Sequence, residues 1–178
     1  MKSSSPLVSM VALACALGCG GDDPGGGPGD PVVGEPAALV GITDAHNALR
    51  ADVGVAPLVW NEDLEALAAG FIADCAFEHS SSAERSDVAG FAYVGENLYW
   101  QRPSPPTGPA VSDAWGSELA AYDYDSNTCS DVCGHYTQQV WAATTDIGCA
   151  IQACAGDSEY IVACNYGPGG NYVGQRPY

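Results

Sequence analysis

The sequence predicts an α+β domain with its helices first and its strands last. Amphipathic helical spacing marks the earlier part of the chain. Near the end, Asp146 to Gln152 and Tyr160 to Tyr166 are hydrophobic, β-rich runs separated by Gly156-Asp157, the pattern of paired antiparallel strands. Long loops join these elements, which points away from an alternating α/β order. No internal repeat is visible.

Ile42 to Val53 reads as the first helix, ended by Gly54 and Pro57. Val55 to Trp60 is a connector. Asn61 is placed to cap a second helix, with Glu62 and Asp63 against its positive end. Leu64, Leu67, Ala68, Phe71, Ile72 and Cys75 then follow helical spacing, so Cys75 staples the end of this helix to something distant. Glu78 to Pro109 reads as irregular, with Ser80-Ser81-Ser82 and Pro103-Ser104-Pro105-Pro106 as loop markers and Gly95-Glu96-Asn97-Leu98 inside it. Ala110 to Tyr122 reads as a third helix burying Val111, Trp115, Leu119 and Tyr122. Gly134 to Trp141 reads as a short helix that buries Tyr136, Val140 and Trp141 and holds His135 at its start. Asn165 to Tyr172 ends a strand in a glycine-rich turn. A phosphate cradle there would want a helix N-terminus or a lysine behind it, and neither follows.

The chain has 178 residues and is 47% hydrophobic, enough for one domain with its own core. Its 22 acidic residues against 5 basic ones give a net charge of −17. Nucleic acid and anionic membrane surfaces are excluded as partners, because the Lys/Arg patch they require is missing. The acidity reads as a device that keeps an exported protein soluble and monomeric.

Residues 1–18 read as a targeting segment: Lys2 supplies a charge, and Pro6 to Leu17 is apolar but too short to span a bilayer. Cleavage before Cys19, in Ala16-Leu17-Gly18-Cys19, resembles lipoprotein processing and makes Cys19 the candidate lipidation site. Cys15 is the alternative, and an ordinary secretory signal with an incidental cysteine is the plainer one. Residues 19–38, rich in Gly, Pro and Asp, form a flexible tether. Six cysteines remain: Cys75, Cys129, Cys133, Cys149, Cys154 and Cys164. An even number behind an export signal argues for disulfides in an oxidising compartment, and spacing alone does not choose their pairing. No paired C-x-x-C knuckles suggest zinc.

Two motifs, Gly134-His135-Tyr136-Thr137-Gln138-Gln139-Val140-Trp141 and Ile161-Val162-Ala163-Cys164-Asn165-Tyr166-Gly167-Pro168-Gly169-Gly170-Asn171-Tyr172, resemble the signatures of the CAP superfamily (cysteine-rich secretory proteins, antigen 5 and plant pathogenesis-related proteins). The resemblance runs from about residue 39 to 178 and is nearest the plant type. It implies a three-layer α-β-α sandwich with a small antiparallel sheet between helices. It also implies the disulfides Cys75–Cys154, Cys129–Cys133 and Cys149–Cys164. Gly174 to Tyr178 resembles the end of the plant members, so the chain is expected to be complete without a further cysteine-rich domain.

In that family two histidines and two glutamates line a cleft, and the counterparts here are His79, Glu96, Glu118 and His135. Such a set can bind a divalent metal such as zinc, shuttle protons, or form a buried network that only holds elements together. No nucleophile is evident: there is no G-x-S-x-G elbow and no H-E-x-x-H helix, the cysteines look committed to disulfides, and Ser80 is only adjacent to His79. His46, one turn before Arg50, reads as a packing or surface residue. Members of the family bind sterols or other lipids through a groove distinct from the cleft, and Tyr99, Trp100 and Pro103 to Pro109 are the candidate apolar rim here. The expected protein is a secreted or extracytoplasmic, largely non-catalytic binding module for a lipid or cell-envelope component. Its only membrane contact would be an anchor at Cys19. A metal-assisted hydrolase and a purely structural tetrad are the alternatives.

Overall fold

A computed structural model describes Met1 and residues 34–178. The targeting segment, Cys15, Cys19 and most of the tether lie outside the described residues. The last tether residues pack on the domain: the Glu35 carboxylate accepts from the backbone N–H of Gly41 (2.7 Å) and Thr43 (2.9 Å) at the start of the first helix. Those are orphan helix donors that no side chain of the N-cap residue, Gly41, satisfies.

Helix α1 spans Ile42–Asp52 and leads through the short strand β1 (Val59–Trp60) to α2 (Glu62–Phe71). Asn61 caps α2 as its sequence position predicts, its Oδ1 accepting from Asp63 and Leu64. The helix stops at Phe71, earlier than the apolar spacing suggests. Cys75 adopts a positive φ of 64° and lies in the turn beyond, where it bonds Cys154.

The stretch expected to be irregular contains strands. β2 (Ser86–Val88) and β3 (Phe91–Tyr93) form a hairpin, and β4 (Gly95–Gln101) is a full strand of the central sheet. Gly95-Glu96-Asn97 carries no apolar alternation, which hides β4 from a reading based on hydrophobic period. Thr107 caps α3 (Gly108–Gly116). A 3-10 turn at Ser117–Ala121 then tightens the chain and breaks the α-helical phase, so Leu119 is exposed rather than on the buried face. A small hairpin, β5 (Tyr122–Asp123) with β6 (Thr128–Cys129), leads to α4 (Gly134–Gln139) and the long antiparallel pair β7 (Asp146–Cys154) and β8 (Glu159–Gly167).

The main sheet has the order β1-β7-β8-β4. It is antiparallel except at β1, which pairs parallel with β7 in a stretch whose sequence predicts only a connector. One face packs Ile147, Cys149, Val162, Cys164 and Tyr166 against Ile42 of α1 and Val111 and Trp115 of α3. The other packs Ala150, Ile161 and Ala163 against Ala68 and Ile72 of α2. This is the three-layer α-β-α arrangement, with period-2 alternation sending successive residues into two different cores. Helix α2 comes so close that a Cβ on Gly148 would lie 2.2 Å from the Glu65 backbone nitrogen. All three expected disulfides are present: Cys75–Cys154, Cys129–Cys133 and Cys149–Cys164.

Candidate functional site

Each of the two exposed-side histidines pairs with a glutamate 17 residues away in the chain. His79, just beyond α2, places Nδ1 2.7 Å from Oε1 of Glu96 on β4. The same carboxylate accepts from the Ser80 backbone N–H (3.1 Å) and the Ser80 hydroxyl (2.7 Å). His135, on the first turn of α4, places Nδ1 2.6 Å from Oε1 of Glu118 in the 3-10 turn. Glu118 Oε2 also accepts from the backbone N–H of His135 (2.9 Å) and Tyr136 (3.2 Å). It thereby caps α4, whose own N-cap residue Cys133 offers no side-chain bond. Both carboxylates accept three hydrogen bonds.

A carboxylate can only accept, so Nδ1 carries a proton in both rings, and the tautomer this selects has its lone pair on Nε2. Among the described residues neither Nε2 has a hydrogen-bond partner. Carboxylate support of Nδ1 fixes ring orientation and tautomer, the arrangement that readies an imidazole for a metal or a proton. The environments differ: the His79 side chain is 56% exposed over a Glu96 that is 1% exposed, whereas His135 is half-buried. The His135 ring stacks on Trp115, with centroids 6.0 Å apart and planes at 15°.

The four expected site residues are therefore brought together as two dyads. They are joined through β4, where Glu96 takes His79 and the next residue, Asn97, donates to the His135 carbonyl oxygen at 3.1 Å. Among the described residues no three or more His, Cys, Asp or Glu side chains form a group able to hold a metal ion. A cleft of about 610 Å³ opens beside the first dyad, lined by Phe71, Asp74, Glu78, His79, Ser81 and Glu84 among others, and His135 is not part of its wall.

Sequence reading missed the buried chain behind His135. His46 is fully buried; its Nδ1–H donates to the Ile42 carbonyl (2.7 Å), and its Nε2 accepts from the Tyr166 hydroxyl (2.9 Å). Burial lowers the His46 pKa to about 4 and raises that of Tyr166 well above the usual phenol range, so at neutral pH the imidazole is uncharged and the phenol keeps its proton. Tyr166 in turn accepts from Asn97 (3.1 Å). The one advance signal was a histidine in a helix otherwise read as packing. The candidate rim divides: Tyr99 packs edge-on against Trp115, whereas Trp100 is 39% exposed with the Arg102 guanidinium 5.4 Å above its ring.

A model of the cysteine-rich secretory protein family matches residues 43–166. Pathogenesis-related protein 1C of Nicotiana tabacum is 42% identical over 141 residues, covering 76% of this chain and 77% of that protein. GLIPR1-like protein 1 of Homo sapiens is 37% identical and covers 83% of this chain and 65% of its own length. Among solved structures, Schistosoma mansoni venom allergen-like protein 4 superposes with a TM-score of 0.64 at 28% identity, covering 77% of this chain and 90% of that one. NaASP2, solved with Zn2+, gives 0.63 at 26% identity, covering 77% and 82%. The match spans helices, sheet and both dyads, and the chain belongs to the cysteine-rich secretory protein (CAP) family.

Proposed function

We propose that this CAP domain works outside the cytoplasm as a non-catalytic binding module for a lipid or another cell-envelope component, with His79 and His135 as its means of holding a divalent ion such as zinc. The observation that carries the non-catalytic reading is the engagement of every candidate nucleophile. The Ser80 hydroxyl donates to Glu96 rather than to an imidazole, and the six folded cysteines are all in disulfides. The disulfides and the secretory family it belongs to support an extracellular or cell-surface location, with Cys19 the proposed anchor. The partly exposed Trp100, followed along the chain by the exposed Pro103 and Pro105, supports an apolar contact. With a net charge of −17 that contact is with a neutral or cationic headgroup. The protein acts as a monomer and does not engage nucleic acid.

The donor chemistry fits zinc: imidazoles whose Nδ1 atoms are held by carboxylates and whose Nε2 atoms have no partner among the described residues are a common ligand type for that ion. A similar protein, NaASP2, was crystallised with Zn2+. If bound, zinc would supply Lewis acidity, and on that footing a metal-assisted hydrolase is the second reading, favoured by the same dyad geometry.

Native mass spectrometry of the full chain with zinc and a total lipid extract, beside a zinc-dependent peptide-turnover assay and a thermal melt, separates these readings when run on the parent and His79→Ala/His135→Ala. Lipid adducts equal in parent and variant support the binding module. Zinc-dependent peptide turnover lost in the variant overturns the non-catalytic reading. Loss of thermal stability alone, with neither ligand bound, would leave the dyads a scaffold and retire both.

A further inference from the structure

A second cavity, apart from the dyads, lies between α4 and the last residues of the chain and has a volume of about 260 Å³. Three aromatic residues, Tyr122, Trp141 and Tyr172, are among those lining it. In a chain of net charge −17, none of the residues lining it is charged. From this combination we propose that the cavity is a binding subsite for one neutral sugar ring.

The polar lining divides into side chains already held by hydrogen bonds and side chains left free. Asn171 holds a φ of 58°, in the left-handed region, and donates to the Gly134 carbonyl (2.8 Å) while accepting from the Thr137 hydroxyl (2.7 Å). Asn127 accepts from the Tyr122 hydroxyl (2.8 Å) and donates to the Gln175 carbonyl (3.1 Å). These bonds set the shape before any ligand arrives, so little ordering cost is left for binding. By contrast, among the described residues the Gln175 side-chain amide and the Tyr172 hydroxyl have no hydrogen-bond partner. Both residues are exposed and line the cavity, so they offer donors and acceptors to a ligand.

The chemistry selects the ligand class by exclusion. Without a cation in its lining the cavity gives no hold to phosphate or carboxylate, and without a carboxylate it gives none to an amine. An aliphatic lipid would bury amide and hydroxyl groups without repaying their lost hydration. A neutral saccharide matches both halves: its C–H face packs on an aromatic ring, and its hydroxyls pair with Gln175 and the Tyr172 hydroxyl. Trp141 and Tyr172 meet at 55° with centroids 6.0 Å apart, two walls of an angled seat. The volume falls just below the roughly 300–1,000 Å³ of ordinary small-molecule pockets, room for one ring rather than an extended chain. The inference uses none of the dyad residues and goes beyond their reading.

The test is saturation-transfer NMR and titration calorimetry on the full chain. The probes are glucose, galactose, mannose, N-acetylglucosamine and its β-1,4-linked tetramer. Binding of at least one, with transfer to ring C–H protons, is expected. Affinity should fall about tenfold in both Tyr172→Ala and Gln175→Ala and stay unchanged in Val59→Ala, an exposed position outside the cavity. Tyr172 and Gln175 are exposed, and near-UV circular dichroism checks that the variants keep the fold. No saccharide binding, or binding indifferent to the Tyr172 and Gln175 substitutions, overturns the subsite. Zinc or lipid binding that persists alongside that result shows that the subsite alone has failed.

Discussion

His46 and Tyr166, 120 residues apart in the chain, meet inside the core through a 2.9 Å bond between the imidazole Nε2 and the phenol hydroxyl. The contact ties α1 to β8, and it requires the uncharged imidazole, because a protonated ring would turn an acceptor into a second donor. Folding therefore carries a proton linkage. The folded pKa, about 4, lies below the ordinary histidine value of 6.5, so the unfolded chain binds more protons between those values. Stability from this group is fully present above about pH 6.5 and is lost as pH falls toward 4. The shift corresponds to about 3 kcal/mol. Urea unfolding from pH 7.5 to 4 should show this loss in the parent and a much flatter dependence in His46→Gln. Equal slopes for the two proteins would refute the assignment.

Arg50 is fully buried, and among the described residues no carboxylate pairs with it. Its guanidinium instead donates to the carbonyls of Ala56, Gln139, Trp141 and Thr144 at 2.7 to 3.0 Å. Desolvation lowers its pKa to about 10, which still leaves it charged at neutral pH. A lysine ammonium cannot span that fan of acceptors. Arg50→Lys is expected to cost about 3 kcal/mol or more, read from the urea midpoint, since several buried carbonyls lose charge-assisted bonds. A cost below about 1 kcal/mol would mean that water replaces the guanidinium freely.

What could be read in advance was local. Asn61 announces α2 because a cap acts on its own next turn, and Tyr136 announces α4, which ends at Gln139, so that Val140 and Trp141 are buried just beyond its end rather than on its face. β4 stayed hidden because its first residues, Gly95, Glu96 and Asn97, are chosen for a site rather than for an apolar face. The residues of the dyads were nameable from the family motifs, but their division into two pairs was not. It depends on where the turn after α2 and the 3-10 turn after α3 deliver His79 and Glu118, and no periodicity encodes that. The pairing of His46 with Tyr166 and of Arg50 with distant backbone carbonyls was invisible for the same reason.

The three disulfides close loops of very different length, with sequence separations of 79, 15 and 4. If chain entropy dominates, their contributions rank in that order, at about 4–5, 3 and 2 kcal/mol. Paired Cys→Ala variants should lose melting temperature most for Cys75–Cys154 and least for Cys129–Cys133. Cys149–Cys164 lies in the core between β7 and β8, so a cavity adds to its loss. A Cys129–Cys133 variant that melts lowest of the three would show that this small loop organises α4 rather than merely closing on itself.

Glu118 does two jobs with one carboxylate, holding the His135 ring and capping α4. The two are separable by substitution. His135→Phe keeps a flat ring against Trp115 and drops only the Nδ1 bond, whereas Glu118→Ala also orphans the N–H groups of His135 and Tyr136. Helix α4 is six residues long, too short to hold itself without help at its start. Glu118→Ala should therefore cost about 2 kcal/mol, and His135→Phe about 1 kcal/mol or less. Hydrogen exchange at Thr137 and Val140, whose amides bond back to Cys133 and Tyr136, should quicken in the first variant and hold steady in the second. If both variants lose protection equally, the imidazole and not the cap is what anchors the helix.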